Sequence, residues 1–306
     1  MTTTTPLLGA RTGGTLVPVD YRTVLVPLDG SVLSEHALEP ARWLAAHLGA
    51  TMHTVIVGFV DDTRWYTQYT RTLRQRWPQV VPHFVGDLDV ATGIVDLAGE
   101  LPGCLVCIGT HGHSRSAALL GSTFVDVARS QPAPLIAIGP RGTVPERDAH
   151  RVVACVDGTG TSEQILPLAG GWARRLDATL DIVAVVEPLR PLRTHAERHR
   201  SSPLADPMAY VTELTRYPAL AGLDVEAHLS FDPLGPEQGL GAHLVDHPAT
   251  LVATTSRLRI HVDRALHGST ASRIIHASPV PVLVQPAVAQ PPSDPPNGAS
   301  DGPHRS

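Results

Sequence analysis

The chain has 306 residues, 42% of them hydrophobic, with a formal charge of −5 and a pI near 6.3. That length suits two domains, and the acidic balance lacks the basic footprint that a nucleic-acid partner would require. All 24 basic residues are Arg, which excludes a GK[ST] phosphate loop and any Schiff-base chemistry.

Residues Met1 to Asp20 carry neither a basic start nor a long apolar run, so no secretory leader and no membrane span are expected. The Thr run and Gly13-Gly14 point to a flexible segment over residues 1–20. Three cysteines fit a reducing, cytoplasmic setting. From there, apolar β-type runs near 22–28, 52–60, 80–85, 104–109 and 134–139 alternate with helical stretches near 33–48, 63–77, 88–100 and 122–131. Such alternation predicts an α/β domain, with a parallel sheet covered by helices on both faces.

Two segments of this first part stand out. Val24-Leu25-Val26-Pro27-Leu28-Asp29-Gly30-Ser31 takes the first strand into a turn. Gly109-Thr110-His111-Gly112, followed by Gly121-Ser122-Thr123, reads as a phosphate cradle after the fourth strand. Gly109 and Gly112 allow backbone to approach a bulky anion, and a helix beginning at Gly121-Ser122-Thr123 offers free N–H groups and a favourable dipole. Asp29 alone would equally serve as a turn residue, and Ser122 as a helix N-cap. Cys104 and Cys107 have redox or zinc spacing, but residues three apart on a strand face opposite sides, so buried structural thiols are expected.

The chain then repeats itself. At a shift of 128 residues, Asp29-Gly30 falls on Asp157-Gly158 and Ser34-Glu35 on Ser162-Glu163; at 147, Gly121-Ser122-Thr123 falls on Gly268-Ser269-Thr270. The second copy, with strands near 151–156, 180–186, 224–230, 249–254 and 280–285, thus holds 19 extra residues (147 − 128) in its middle. Ordered matches at both ends argue for duplication. In place of the glycine pair the second copy has Ala253-Thr254-Thr255-Ser256, which reads as a degenerate site. The His195-Ala196-Glu197-Arg198-His199 segment lies in the extra, charged part and reads as a solvated helix face. Trp43 and Trp172, in the first helix of each copy, read as core packing. The domain plan is a flexible 1–20, a first domain over 21–140, a linker over 141–150, a second domain over 151–286 and a disordered Pro-rich tail over 287–306.

This combination resembles the universal stress protein family in its tandem two-domain form, over roughly residues 20–286. The resemblance rests on Asp29, on Gly109, Gly112, Gly121 and Ser122, and on the last strand after Pro134. It implies two Rossmann-like, doubly wound domains of five strands each, in the order 3-2-1-4-5. It also implies that ATP, expected with Mg, is held with Asp29 on the adenosine side and Gly109, Gly112, Gly121 and Ser122 around the phosphates. Pro27, Leu28 and Thr123 are further expected cofactor-binding residues, and His111, His113 and Arg115 could offset triphosphate charge. Asp29 and Gly109 end the strands that flank the topological switch point, where ligands of open α/β sheets bind. One departure is that eight residues, not the family's nine, separate Gly112 from Gly121.

No nucleophile–base pair and no paired carboxylates stand out. The expectation is a nucleotide-dependent stress regulator and not an enzyme, with slow ATP hydrolysis or a nucleotide-free interaction module as alternatives. The last strands of the two copies are expected to pair, within the chain as a pseudo-dimer or between chains as a homodimer.

Overall fold

The computed structural model describes residues 15–58, 63–86, 89–110, 121–131, 133–186, 206–231, 235–256 and 270–288. In the first half, β1 (Thr23–Pro27), β2 (Thr51–Gly58), β3 (Val81–Gly86), β4 (Cys104–Gly109) and β5 (Leu135–Ile138) alternate with helices. The second half repeats this with β6 (Arg151–Val156), β7 (Thr179–Val186), β8 (Val225–Phe231), β9 (Leu251–Ser256) and β10 (Val282–Pro286). The ten strands form one sheet in the order β3-β2-β1-β4-β5-β10-β9-β6-β7-β8. Each half therefore has the expected 3-2-1-4-5 order with parallel neighbours.

The halves meet through β5 and β10, paired antiparallel with Ile136 opposite Leu283. The expected pairing of last strands is thus made within one chain. Both seam strands are buried on both faces. Ile136, Ile138 and Leu283 enter the core on one side of the sheet; Leu135, Ala137, Val282 and Val284 enter the core on the other. Each core draws on both halves, so hydrophobic burial, at about 25 cal/mol per Å² of apolar surface, runs unbroken across the seam.

The helical stretch expected near 33–48 is two helices, α1 (Val32–Glu35) and α2 (Leu38–Leu48). Pro40 has no N–H to give the carbonyl of His36, and its ring would clash with that carbonyl in a continuous helix. The second half breaks in the same way into α6 (Gly160–Glu163) and α7 (Leu166–Leu176), with Pro167 in the first turn of α7. The remaining helices are α3 (Thr63–Arg76), α4 (Val90–Glu100) and α5 (Ser122–Ser130) in the first half. In the second half they are α8 (Pro207–Leu214), α9 (Pro236–Asp246) and α10 (Thr270–Ala277).

Of the segment expected to be flexible, residues 15–20 are packed onto the second half. Val17 N–H donates to the Pro167 carbonyl at 3.1 Å, and Leu16, Val17 and Val19 cover the core beside Tyr21, whose ring lies 5.9 Å from that of Trp172. The apolar Leu16-Val17-Pro18-Val19 run gains burial there, which outweighs the local turn signal of the glycines before it.

Candidate functional site

β1 ends in Pro27 and Leu28, both buried, and Leu28 N–H donates to the Val55 carbonyl at 2.8 Å. These two residues anchor the strand; Asp29, the next residue, is exposed. Its carboxylate accepts from Ser31 N–H at 2.9 Å, and its own N–H donates to Ser34 Oγ at 3.3 Å. Ser31 Oγ in turn accepts from Ser34 N–H and caps α1. The tight turn needs Gly30 at φ +79°, and the Trp65 ring lies where a Cβ on that residue would sit. Val32, Leu33 and Trp65 are 86%, 52% and 46% exposed. Asp29 is thus rimmed by apolar surface, an uncommon use of large side chains unless something covers them.

Gly109 ends β4, next to β1 in the sheet. A Cβ there would lie 3.5 Å from the Leu33 carbonyl oxygen and 3.9 Å from Ser34 Cα, so α1 crosses directly over it. A Cβ there makes ordinary contact. Thr110, fully buried, follows; its N–H donates to the Ile138 carbonyl at 3.0 Å, and its own carbonyl accepts from Gly121 N–H at 2.8 Å. One hydrogen bond therefore joins the residues on either side of 111–120. Helix α5 begins at that bond. Its N-cap is Gly121 and not Ser122, which is the first helical residue, because Gly121 has extended backbone (φ −54°, ψ 142°) and its carbonyl accepts from Val125. Among the described residues no side chain caps α5, so the first-turn amides at Ser122 and Thr123 point where an anion is favoured.

The structure therefore brings Asp29, Gly109, Gly121, Ser122 and Thr123 to the carboxyl ends of β1 and β4. His111, Gly112, His113 and Arg115 lie outside the described residues.

A tether that sequence reasoning missed holds α1 in place. Glu35, its last residue, accepts from Tyr69 Oη at 2.9 Å and Arg76 Nη1 at 2.6 Å, both on α3. Burial, with Glu35 as acceptor, pushes the Tyr69 hydroxyl well above its ordinary range, so it stays a donor. The second half repeats the device: Tyr210 on α8 donates to Glu163 at 3.0 Å. The repeated Ser-Glu pair was the available signal, but the tyrosines sit at unequal distances along the chain and carry no matching motif.

The second half keeps the turn and loses the approach. Asp157 Oδ1 accepts from Thr159 N–H at 3.1 Å, Asp157 N–H donates to Ser162 Oγ at 3.1 Å, and Gly158 has the same φ of +79° as Gly30. The pairing register identifies the counterpart of Gly109 as Thr255, an offset of 146 (255 − 109), since Gly109 faces Ile138 and Thr255 faces Gln285. Thr255 Oγ1 lies 3.5 Å from the Ser162 carbonyl oxygen, so a β-branched side chain fills the gap beneath α6. The chain after β10 also crosses here: Ala287 N–H donates to the Ser256 carbonyl at 2.9 Å, and the Gln164 amide pairs both ways with the Val288 backbone at 3.0 Å. Residues 287 and 288, expected to begin the disordered tail, are thus held; 289–306 lie outside the described residues, as do His195, His199, Gly268 and Ser269.

The cysteines behave as strand geometry requires. Cys107 enters one core and Cys104 packs against the other, and burial pushes the Cys104 thiol up to about 12. Trp172 is fully buried, whereas Trp43 is only half-buried and stacks on His47 at 3.9 Å. No described helix is long and apolar enough to cross a membrane.

Comparison with known proteins agrees with the tandem fold. The chain is similar to a universal stress protein from Archaeoglobus fulgidus DSM 4304 at 18% identity, covering 88% of this chain and 98% of that one with a TM-score of 0.62. A putative universal stress protein from Pseudomonas aeruginosa UCBPP-PA14 matches at 18% identity over 87% and 94%, with a TM-score of 0.54. A universal stress protein solved in complex with cAMP matches at 20% identity over 46% of this chain and 98% of its own, with a TM-score of 0.36. No curated protein matches the sequence. The model of the Universal stress protein family matches residues 61–139 and 149–286, one segment in each half. With both halves matched and the tandem sheet in place, the chain belongs to the universal stress protein family.

Proposed function

We propose that the first half binds ATP together with Mg, and that the chain acts as a nucleotide-dependent regulator of a stress response without efficient catalysis. The observation that carries this reading is the convergence of Asp29, Gly109 and the start of α5, where no described side chain caps the helix, at one end of two adjacent strands. The carboxylate of Asp29 suits ribose hydroxyls. The exposed Trp65, Val32 and Leu33 suit the faces of an adenine ring, and the α5 amides suit phosphate. His111, Gly112 and Arg115 of the 111–120 loop would complete the phosphate side. The second half, with Thr255 beneath α6 and Val288 held on Gln164, is read as a non-binding partner domain.

Calorimetric titration of MgATP into nucleotide-stripped protein, with AMP and cAMP as competitors and Asp29→Ala as the variant, tests this. One site per chain, weakened in the variant, is expected. Two sites would overturn the reading of the second half. No heat, with no nucleotide retained through purification, would replace nucleotide sensing with a nucleotide-free interaction role. Accumulation of ADP that depends on Asp29 would favour slow hydrolysis.

A further inference from the structure

At the opposite, amino-terminal end of the second half's strands lies a cluster unrelated to the crevice. Asp181 on β7 is fully buried. Its Oδ1 accepts from Arg151 Nη1 at 2.7 Å, and the same nitrogen reaches Glu226 Oε2 at 2.7 Å. Its Oδ2 lies 3.2 Å from His243 Nε2 on α9 and 3.6 Å from His228 Nε2 on β8. These three ligand atoms are all within 4.8 Å of one another. The His247 ring stacks on that of His243, with centroids 4.5 Å apart and planes at 15°.

We propose that Asp181 Oδ2, His228 Nε2 and His243 Nε2 form a binding site for a divalent transition-metal ion of the zinc class. The first argument is geometric. Zinc bonded to nitrogen and oxygen at about 2.0–2.1 Å in a tetrahedral shell places neighbouring ligand atoms roughly 3.3–3.4 Å apart, and the two carboxylate–imidazole separations here are 3.2 and 3.6 Å. The second is charge. Asp181 and Glu226 share one guanidinium, and Glu226 Oε2 also lies 3.3 Å from His228 Nε2, so one net negative charge sits beside two imidazoles. The third is support: Arg151 fixes Oδ1, so the carboxylate presents Oδ2 in a set orientation, the role of an outer-shell partner. Two imidazoles and a carboxylate select zinc, cobalt or iron over magnesium, which favours oxygen ligands and water. Ligation at Nε2 replaces the hydrogen bond to Oδ2, so each ligating imidazole carries its remaining proton on Nδ1. The side chain of His228 is 24% exposed, giving the ion a way in and leaving a fourth position to water.

The first half shows what an incomplete version looks like. His53 and His83 occupy the register positions of Asp181 and His228, with Nδ1 and Nε2 2.8 Å apart. Leu97 stands in the place of His243, counted from the N-caps Asp89 and Gly235. Two imidazoles with no carboxylate make no site.

The test uses the full chain, stripped with a chelator and titrated with Co(II) and Zn(II) against a chromophoric competitor. With 16 histidines in the chain, the controls decide the outcome. Expected is one ion per chain, with visible bands of low-coordinate Co(II). Affinity should fall about 100-fold or more in His228→Ala and in His243→Ala, and stay unchanged in His247→Ala and in the double variant His195→Ala/His199→Ala. Near-ultraviolet circular dichroism establishes that each variant is folded; His228, the more exposed ligand, is the safer of the two. Retention of the ion by both ligand variants, or its loss with His195 and His199, would overturn the proposal. So would the absence of stoichiometric binding, which would make the cluster a metal-free ion pair.

Discussion

The two halves build the same turn and tether but differ at the place where a ligand would lie. In both, an Asp at the end of the first strand accepts from a backbone N–H two residues on, a glycine at φ +79° follows, and a Ser hydroxyl returns to the Asp N–H. In both, the helix that follows ends in a Glu held by a Tyr. These features fold the chain, and both halves need them. What differs is Gly109 against Thr255, and the crossing of the second half's strand ends by residues 287 and 288. On the proposed reading Gly109 serves ligand approach, and such a position is free to change once the sheet is secured by packing.

The sharpest way to break this comparison is to copy the second half's residue into the first. Gly109→Thr should leave the fold intact, because Thr255 is accommodated in the same register beneath the corresponding helix. It should weaken MgATP binding by about 100-fold, or ~2.7 kcal/mol, by filling the space under α1. Titration of the variant beside wild type reads the effect. Unchanged affinity would mean that the phosphate side does not depend on close approach at this strand end.

A second difference lies at the other end of the sheet, and acid should expose it. Burial holds the His53 and His83 imidazoles below their ordinary value of 6.5, and for His53 the neighbouring His83 adds to this. The unfolded chain therefore binds more protons than the folded one as pH drops below about 6.5. This half loses stability over that range, until the folded histidines themselves protonate. At these positions the second half has Asp181 and His228; burial also holds the His228 imidazole below 6.5, the Asp181 charge works against this, and the neighbouring His243 and His247 add to it. Burial works against the Asp181 carboxylate, but the hydrogen bond from His243 and the charge of Arg151 outweigh it and hold it below the usual range. Its contribution is complete above the unfolded carboxylate's range and is lost only at lower pH. The melting temperature of wild type should thus fall between neutral and mildly acidic pH, and His83→Gln should flatten the slope. Parallel slopes for the two proteins would sink the assignment.

How much of this was legible in the sequence follows from where each signal sits. Val24-Leu25-Val26 and Leu105-Val106-Cys107 are continuous buried runs, so the strands and their alternation with helices could be read directly. Asp29 and Gly121 were legible because they recur as Asp157 and Gly268, and Gly109 because it sits in a glycine-rich turn between a strand and a helix. The place of Thr255 was not, because β3 and β8 are offset by 145, β4 and β9 by 146, and β5 and β10 by 147. Insertions of single residues in the connecting loops leave no mark that a fixed shift detects; only the pairing register shows them. The Asp181 cluster was invisible for another reason: Arg151, Asp181, Glu226, His228 and His243 come from four elements, and no short spacing joins them.

The smallest difference concerns how each long helix ends. Helix α2 closes on Gly49, with φ of 66°, while α7 closes on Asp177 at φ 51°, the one non-glycine residue with positive φ among those described. A left-handed backbone costs an L-residue about 1–2 kcal/mol, and Asp somewhat less. An exposed carboxylate at a helix C-terminus also faces the negative end of the dipole. Asp177→Gly removes both penalties but frees the unfolded chain, which offsets part of the gain. The net effect should be a stabilisation of about 0.5–1 kcal/mol, and a rise of ~1–3 °C in melting temperature. The exchange in the other direction is equally clean. A Cβ at Gly49 would meet nothing within 4 Å, so any loss in Gly49→Asp would come from backbone conformation and helix-end charge and not from a clash. Opposite and similar shifts in the two variants, measured by urea unfolding, are the expected result. A loss in Asp177→Gly would mean that the Asp side chain holds the turn through interactions worth more than the strain it carries.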